Sequence, residues 1–139
     1  DGDYVMFDRV IGASITKMVM PTAGGEPRVV GANLHIVGSV DWGRDAAGQN
    51  WLAYGPTGRN VYKLALNPDG TTWEGAVPVD FGDSGWTMGG KNPRWSPDCT
   101  HIVFSNEGDT SKYATYVLDA STGAFWPVGD LGFVDWAAQ

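Results

Sequence analysis

Asn92-Pro93-Arg94-Trp95-Ser96-Pro97-Asp98-Cys99-Thr100-His101-Ile102-Val103-Phe104-Ser105 is the stretch that decides the fold. It reads as a short strand ending in a tryptophan, a tight Ser-Pro-Asp turn, and a second, β-rich strand. Ser, Pro and Asp each favour a turn for a separate physical reason. The two flanking runs carry the β-branched and aromatic residues of strands.

Working outward, the pattern extends in both directions. Tyr113 to Leu118 reads as a third strand, closed by Asp119-Ala120-Ser121-Thr122-Gly123. Phe125-Trp126-Pro127-Val128 is a fourth, and its proline suits an outer edge because proline cannot donate to a ladder. Upstream the same cycle appears as Val40-Asp41-Trp42, a polar turn from Gly43 to Asn50, and Trp51-Leu52-Ala53-Tyr54. After Gly55-Pro56-Thr57-Gly58, residues 60–66 alternate. Val61, Lys63 and Ala65 share one face; Tyr62, Leu64 and Leu66 share the other. Asn67-Pro68-Asp69-Gly70 turns the chain towards a fourth strand at 77–81. At the start, Tyr4 to Asp8, Ile15 to Met20 and Arg28 to Val30 read as three strands, with a break at Gly12-Ala13-Ser14 and a loop over 8–14.

Trp42, Trp95 and Trp136 end equivalent strands, 53 and 41 residues apart. Repeats of about 40–50 residues with four strands each are the mark of a β-propeller blade. The fold class is therefore all-β, a propeller with three four-stranded blades per chain. Blade 1 comprises 1–31 with 133–139 supplied from the C-terminus of this or another chain. Blade 2 is 39–81 and blade 3 is 92–128. Three blades are too few to close, since rings use about four to eight. The expected assembly is a six-bladed ring of two copies, each completing the other's first blade. The alternative is a segment of a longer propeller. The chain opens at Asp1 without a methionine, which fits processing, trimming or a fragment.

Composition bounds the partners. Nine Lys and Arg against sixteen Asp and Glu give a net charge of −7, which repels a phosphate backbone and disfavours nucleic-acid binding. An anionic membrane surface is disfavoured for the same reason, and no apolar run approaches the ~18 residues of a spanning helix. The single cysteine, Cys99, excludes an internal disulfide, and no CxxC or haem-attachment motif is present.

Asn92 to Gly123 resembles the propeller repeat of the TolB-like family, also called the PD40 or WD40-like repeat. The resemblance rests on Pro93-Arg94-Trp95-Ser96-Pro97-Asp98, Ile102-Val103-Phe104-Ser105 and Tyr116-Val117-Leu118-Asp119. The unit from Ser39 to Gly70 is similar through Val40-Asp41-Trp42, Trp51 to Tyr54 and Val61 to Leu64. The family places glycine where Cys99 stands, so Cys99 is expected to be mildly strained if that position needs a positive φ. The resemblance implies a six-bladed, periplasmic or exported scaffold without enzymatic activity. It also admits peptidase-linked and lyase members, so fold does not fix function.

Motifs for chemistry are sparse. No nucleophile elbow, zincin or Walker sequence occurs, and no cofactor or metal is expected. Asp80 and Asp83 have the flavour of a calcium loop without its ligand spacing. His101 reads as an exposed strand residue, and Cys99 lacks an evident base. Trp86, between glycines in a long loop, reads as a contact residue. The loops between fourth and first strands, and between second and third, share one face and are the longest. The expected binding face is therefore Arg9, His35, Arg59, Asp83, Trp86, Lys91, Asn106 and Glu107. Three functions follow in order: a protein–protein scaffold, a carbohydrate-binding propeller using exposed tryptophans, and a lyase or hydrolase with a funnel site.

Overall fold

A computed structural model of the chain describes residues 2–31, 34, 36, 38–55, 60–81, 90–107, 113–129 and 135–136. Side chains at 106, 107 and 113 are outside that description. Eleven strands form three antiparallel sheets among the described residues. Sheet A holds β1 (Tyr4–Ile11), β2 (Ser14–Pro21) and β3 (Arg28–Val29). Sheet B holds β4 (Val40–Arg44), β5 (Asn50–Tyr54), β6 (Tyr62–Leu66) and β7 (Val79–Asp80). Sheet C holds β8 (Gly90–Trp95), β9 (His101–Glu107), β10 (Tyr113–Asp119) and β11 (Phe125–Gly129). Each sheet is a meander in chain order. The architecture is all-β and corresponds to three blades of a partial β-propeller.

The turns follow from their residues. Asp45 Oδ1 accepts from the amides of Ala47 and Gln49, each at 2.9 Å. Asp98 Oδ1 accepts from Ser96 Oγ at 2.6 Å and from the Thr100 amide at 3.1 Å. Asp119 Oδ1 takes the Ser121 and Thr122 amides at 2.7 and 3.1 Å. Each carboxylate thus fills the hydrogen bonds that its own turn leaves open. Gly48 and Cys99 occupy matching places in the turns before β5 and β9, at φ +83° and +55°. The strain expected at Cys99 is present: a side chain stands in the left-handed region that glycine occupies without cost.

Alternation decides what lies between sheets. Leu52, Tyr54, Leu64 and Leu66 face sheet A and pack with Val19, Val30 and Ile36. Ala53 and Val61 face sheet C and pack with Trp95, Ile102, Phe104 and Leu118. The faces assigned to residues 61–66 by their period of two are the faces observed. Phe104, Leu52 and Ile102 are fully buried, each stabilising by about 1.5–3 kcal/mol relative to exposure. Trp95 is core; Trp42 is half-buried, stacked on Tyr4 at 5.9 Å between sheets A and B.

Two segments differ from expectation. The loop placed over 8–14 is a hairpin: β1 runs to Ile11 and β2 begins at Ser14. Gly12 at φ +60° lets a two-residue connection close it, and Asp8 pairs with Lys17 across the strands at 2.5 Å. The strand before Trp95 begins earlier than expected, at Gly90, and carries a register shift between Lys91 and Arg94. Asn92 sits at φ +52° beside Pro93, whose missing amide leaves the ladder nothing to pair.

Candidate functional site

The turns before the second strand and after the third emerge on one face of the sheets. There, a cleft of about 400 Å³ opens between sheets B and C. Its floor is Trp51 on β5 and Lys63 on β6, which alternation places on one face of sheet B. Its rim is Asp45 from one turn, Asp98 to Thr100 from the next, and Asp119 to Ser121 beyond them. The Trp51 indole Nε1 donates to Asp45 Oδ2 at 2.9 Å. Lys63 Nζ donates to the Ala120 carbonyl at 2.5 Å and lies over Trp51 and Phe81, 4.8 and 5.8 Å from their ring centres. Burial lowers the pKa of Lys63, and the charges of Asp119 and Asp45 oppose that shift.

Cys99 borders this cleft. Burial pushes its thiol up to about 11, with Asp45, Asp41 and Asp98 adding to the effect. It is therefore a protonated thiol at neutral pH and a poor nucleophile. His101 shares a 2.7 Å hydrogen bond with Thr100 Oγ1, and its ring meets Trp126 edge-on at 5.8 Å.

A second, wider cleft of about 670 Å³ lies towards the inner strands, between residues 2–4, β4 and the turn after Trp95. Asp41 borders it. Its Oδ2 accepts the Trp95 amide at 2.7 Å, joining β4 to β8. Burial raises the Asp41 pKa; the Trp95 amide and Arg94 pull it down, and Asp135 pushes it up. Trp136 lies against β8, its indole Nε1 donating to the Arg94 carbonyl at 3.0 Å.

The third feature is the end of the arc. β1 borders a strand on one side only among the described residues. Its counterparts β5 and β9 lie between two strands. Val10 and Ile11, at the turn end of the β1–β2 hairpin, are 63% and 66% exposed. Val10 pairs across the hairpin with Ile15, 49% exposed, so the two form one apolar surface.

Of the expected binding residues, Arg9 is exposed on β1 opposite Thr16, and Lys91 is exposed on β8 opposite Ser105. Asn106 and Glu107 lie on β9, paired with Ala114 and Tyr113. His35, Arg59, Asp83 and Trp86 lie outside the described residues. Neither Arg9 nor Lys91 lines either cleft. Sequence reasoning passed over the clefts because Asp98 and Asp119 are fully explained by their turns. The usable signal was alternation, which sets Trp51 and Lys63 side by side. Among the described residues no group of three His, Cys, Asp or Glu is placed to hold a metal.

No family model matches the chain, and no curated protein sequence matches it. Solved structures do. A protein assigned as TolB from Agrobacterium tumefaciens is similar with a TM-score of 0.65 and 18% identity, over 97% of this chain and 45% of that one. A fucose lectin from Kordia zhangzhouensis, solved with methyl-fucoside, is similar with a TM-score of 0.56 and 12% identity, over 89% of this chain and 88% of that one. The chain thus spans less than half the length of the TolB protein and about matches the lectin chain. At these identities the likeness is one of fold, and the fold is that of a β-propeller.

Proposed function

We propose that this chain is a non-enzymatic propeller module that assembles with other protein, in the extracytoplasmic setting that the TolB-like resemblance implies. The observation that carries the reading is the exposed apolar tip of the β1–β2 hairpin. Val10 and Ile15 share one face of the hairpin and Ile11 stands on the other, exposed branched side chains of the kind that mark protein contact.

A photoreactive residue replacing Ile11 tests this in the producing cell, with one replacing Trp126 as the control. Protein adducts at position 11 are expected. Absence of any protein adduct there, together with saturable tryptophan quenching by a monosaccharide, would overturn the reading.

Carbohydrate binding is the second reading. Trp73 and Trp126 are 48% and 43% exposed, and Trp126 stands against His101 at the edge of the smaller cleft. Exposed indole faces bind sugar rings through their apolar faces. The lectin likeness lends this reading support of fold alone.

A further inference from the structure

We infer that the cleft of about 400 Å³ between sheets B and C is a binding site for a neutral, polyhydroxylated ligand, a sugar residue. This rests on the carbohydrate reading above, for which it names the site, and it stands apart from the assembly reading. The lining residues all come from sheets B and C and the turns within them.

Three observations converge. First, of the two indole N–H groups at the cleft, one has no acceptor. Trp51 Nε1 donates to Asp45 Oδ2 at 2.9 Å. Trp95 lines the cleft at 7% exposure, and its Nε1 is buried with no partner among the described residues. Buried donors in native folds are paired, with protein or with an ordered guest. An indole N–H only donates, so this one calls for an oxygen acceptor.

Second, the opposite need stands on the rim. Asp98 Oδ1 takes the bonds of its own turn, from Ser96 Oγ at 2.6 Å and Thr100 Oγ1 at 2.8 Å. Asp119 Oδ1 does the same, from Ser121 Oγ at 2.6 Å and the Thr122 amide at 3.1 Å. The turns thus leave Oδ2 of each carboxylate to accept from a ligand. Hydrogen bonds, those from Ser96 and Ser121 first, hold both carboxyls down at about 2, so both are ionised at neutral pH.

Third, the charge of the lining selects among ligands. Asp45, Asp98 and Asp119 stand there with Lys63 as the one Lys or Arg side chain. An anion is repelled by that excess of carboxylate. A cation brings donors alone, which suit the carboxylates and leave the Trp95 N–H unmet. A hydroxyl donates and accepts at once. A ring bearing several hydroxyls therefore satisfies the indole and the carboxylates together, with no charge to desolvate. Trp51 and Trp95 supply apolar surface for the C–H face of such a ring. The volume falls within the about 300–1,000 Å³ usual for small-ligand clefts.

The test is a titration of the isotope-labelled full chain with the methyl glycosides of glucose, galactose, mannose and fucose, followed through the indole N–H resonances. The Trp95 signal is identified by its loss in Trp95→Phe. Saturable movement of that signal by at least one glycoside is expected. Asp98→Asn and Asp119→Asn keep the turn acceptor and remove the charge. Each is expected to weaken binding about tenfold or more while still unfolding in urea as a single transition. Methylammonium and acetate are expected not to compete. Competition by either charged probe overturns the inference, as does full affinity in both Asn variants. Binding that leaves the Trp95 signal in place and is lost in Trp126→Ala also overturns it, and keeps the carbohydrate reading with the exposed indole. No saturable binding of any glycoside removes the cleft assignment and the carbohydrate reading together.

Discussion

The amide of Trp95 donates to the carboxylate of Asp41 across 2.7 Å, so a side chain of one blade's inner strand caps the backbone of the next. The contact links residues 54 positions apart and holds β4 and β8 in register without a shared ladder.

Asp41 is held above its ordinary pKa, chiefly by burial. A carboxyl whose folded pKa exceeds its unfolded value favours the fold when protonated. That contribution is present at low pH and lost as pH rises through the raised pKa. Asp41→Asn keeps an acceptor for Trp95 and removes the charge. It is expected to match or exceed the wild type in urea unfolding at pH 7. Asp41→Leu leaves the Trp95 amide without this acceptor and is expected to cost about 1–3 kcal/mol.

Gly43 meets Cys99. A β-carbon at Gly43 would collide with Cys99 Sγ and stand 2.9 Å from the Trp95 ring. Gly43→Ala is expected to destabilise by about 1–3 kcal/mol, the usual cost of overpacking. Adding Cys99→Gly removes the colliding sulfur and the positive-φ strain together, so the double variant should recover most of the loss. Strictly additive effects in a chemical-denaturation cycle would refute the contact.

The Cys99 thiol is pushed to about 11 from 9. Its thiolate fraction near pH 8 should fall about a hundredfold. Alkylation by iodoacetamide is expected to be at least that much slower in the folded protein than in urea. Equal rates would show that the cleft leaves the sulfur in water.

Asp98 and Asp119 run the other way. Their turn hydrogen bonds, from Ser96 and Ser121 first, lower each to about 2. A depressed carboxyl adds stability above its unfolded pKa, and that stability is lost as pH falls towards the folded value. The melting temperature should therefore drop between about pH 4 and pH 2. Asp98→Ala combined with Asp119→Ala should flatten that slope. A slope unchanged in the variant would place the acid sensitivity elsewhere.

Truncating the core between sheets B and C supplies a reference for these effects. Phe104 is fully buried and stacks on Tyr116 at 5.7 Å. Phe104→Ala is expected to cost about 3–5 kcal/mol in denaturant unfolding.

What the chain determines by itself is local. The period of two in residues 61–66 assigns Leu64 to one neighbour and Val61 to the other, because a strand has only two faces. Asp45, Asp98 and Asp119 set turns, because a short carboxylate reaches its own following amides. The left-handed backbone at Cys99 was foreshadowed only by the resemblance, since the TolB-like repeat carries glycine there. Tertiary structure decided the rest, because the deciding contacts join residues dozens of positions apart. Lys63 reaches the Ala120 carbonyl only once sheets B and C meet. Gly43 is required only because Cys99 arrives from another blade. The hairpin from Tyr4 to Pro21 stays extended because its two strands pair along their whole length, which a single strand's pattern does not reveal. The two clefts exist only between sheets, where no single repeat encodes them.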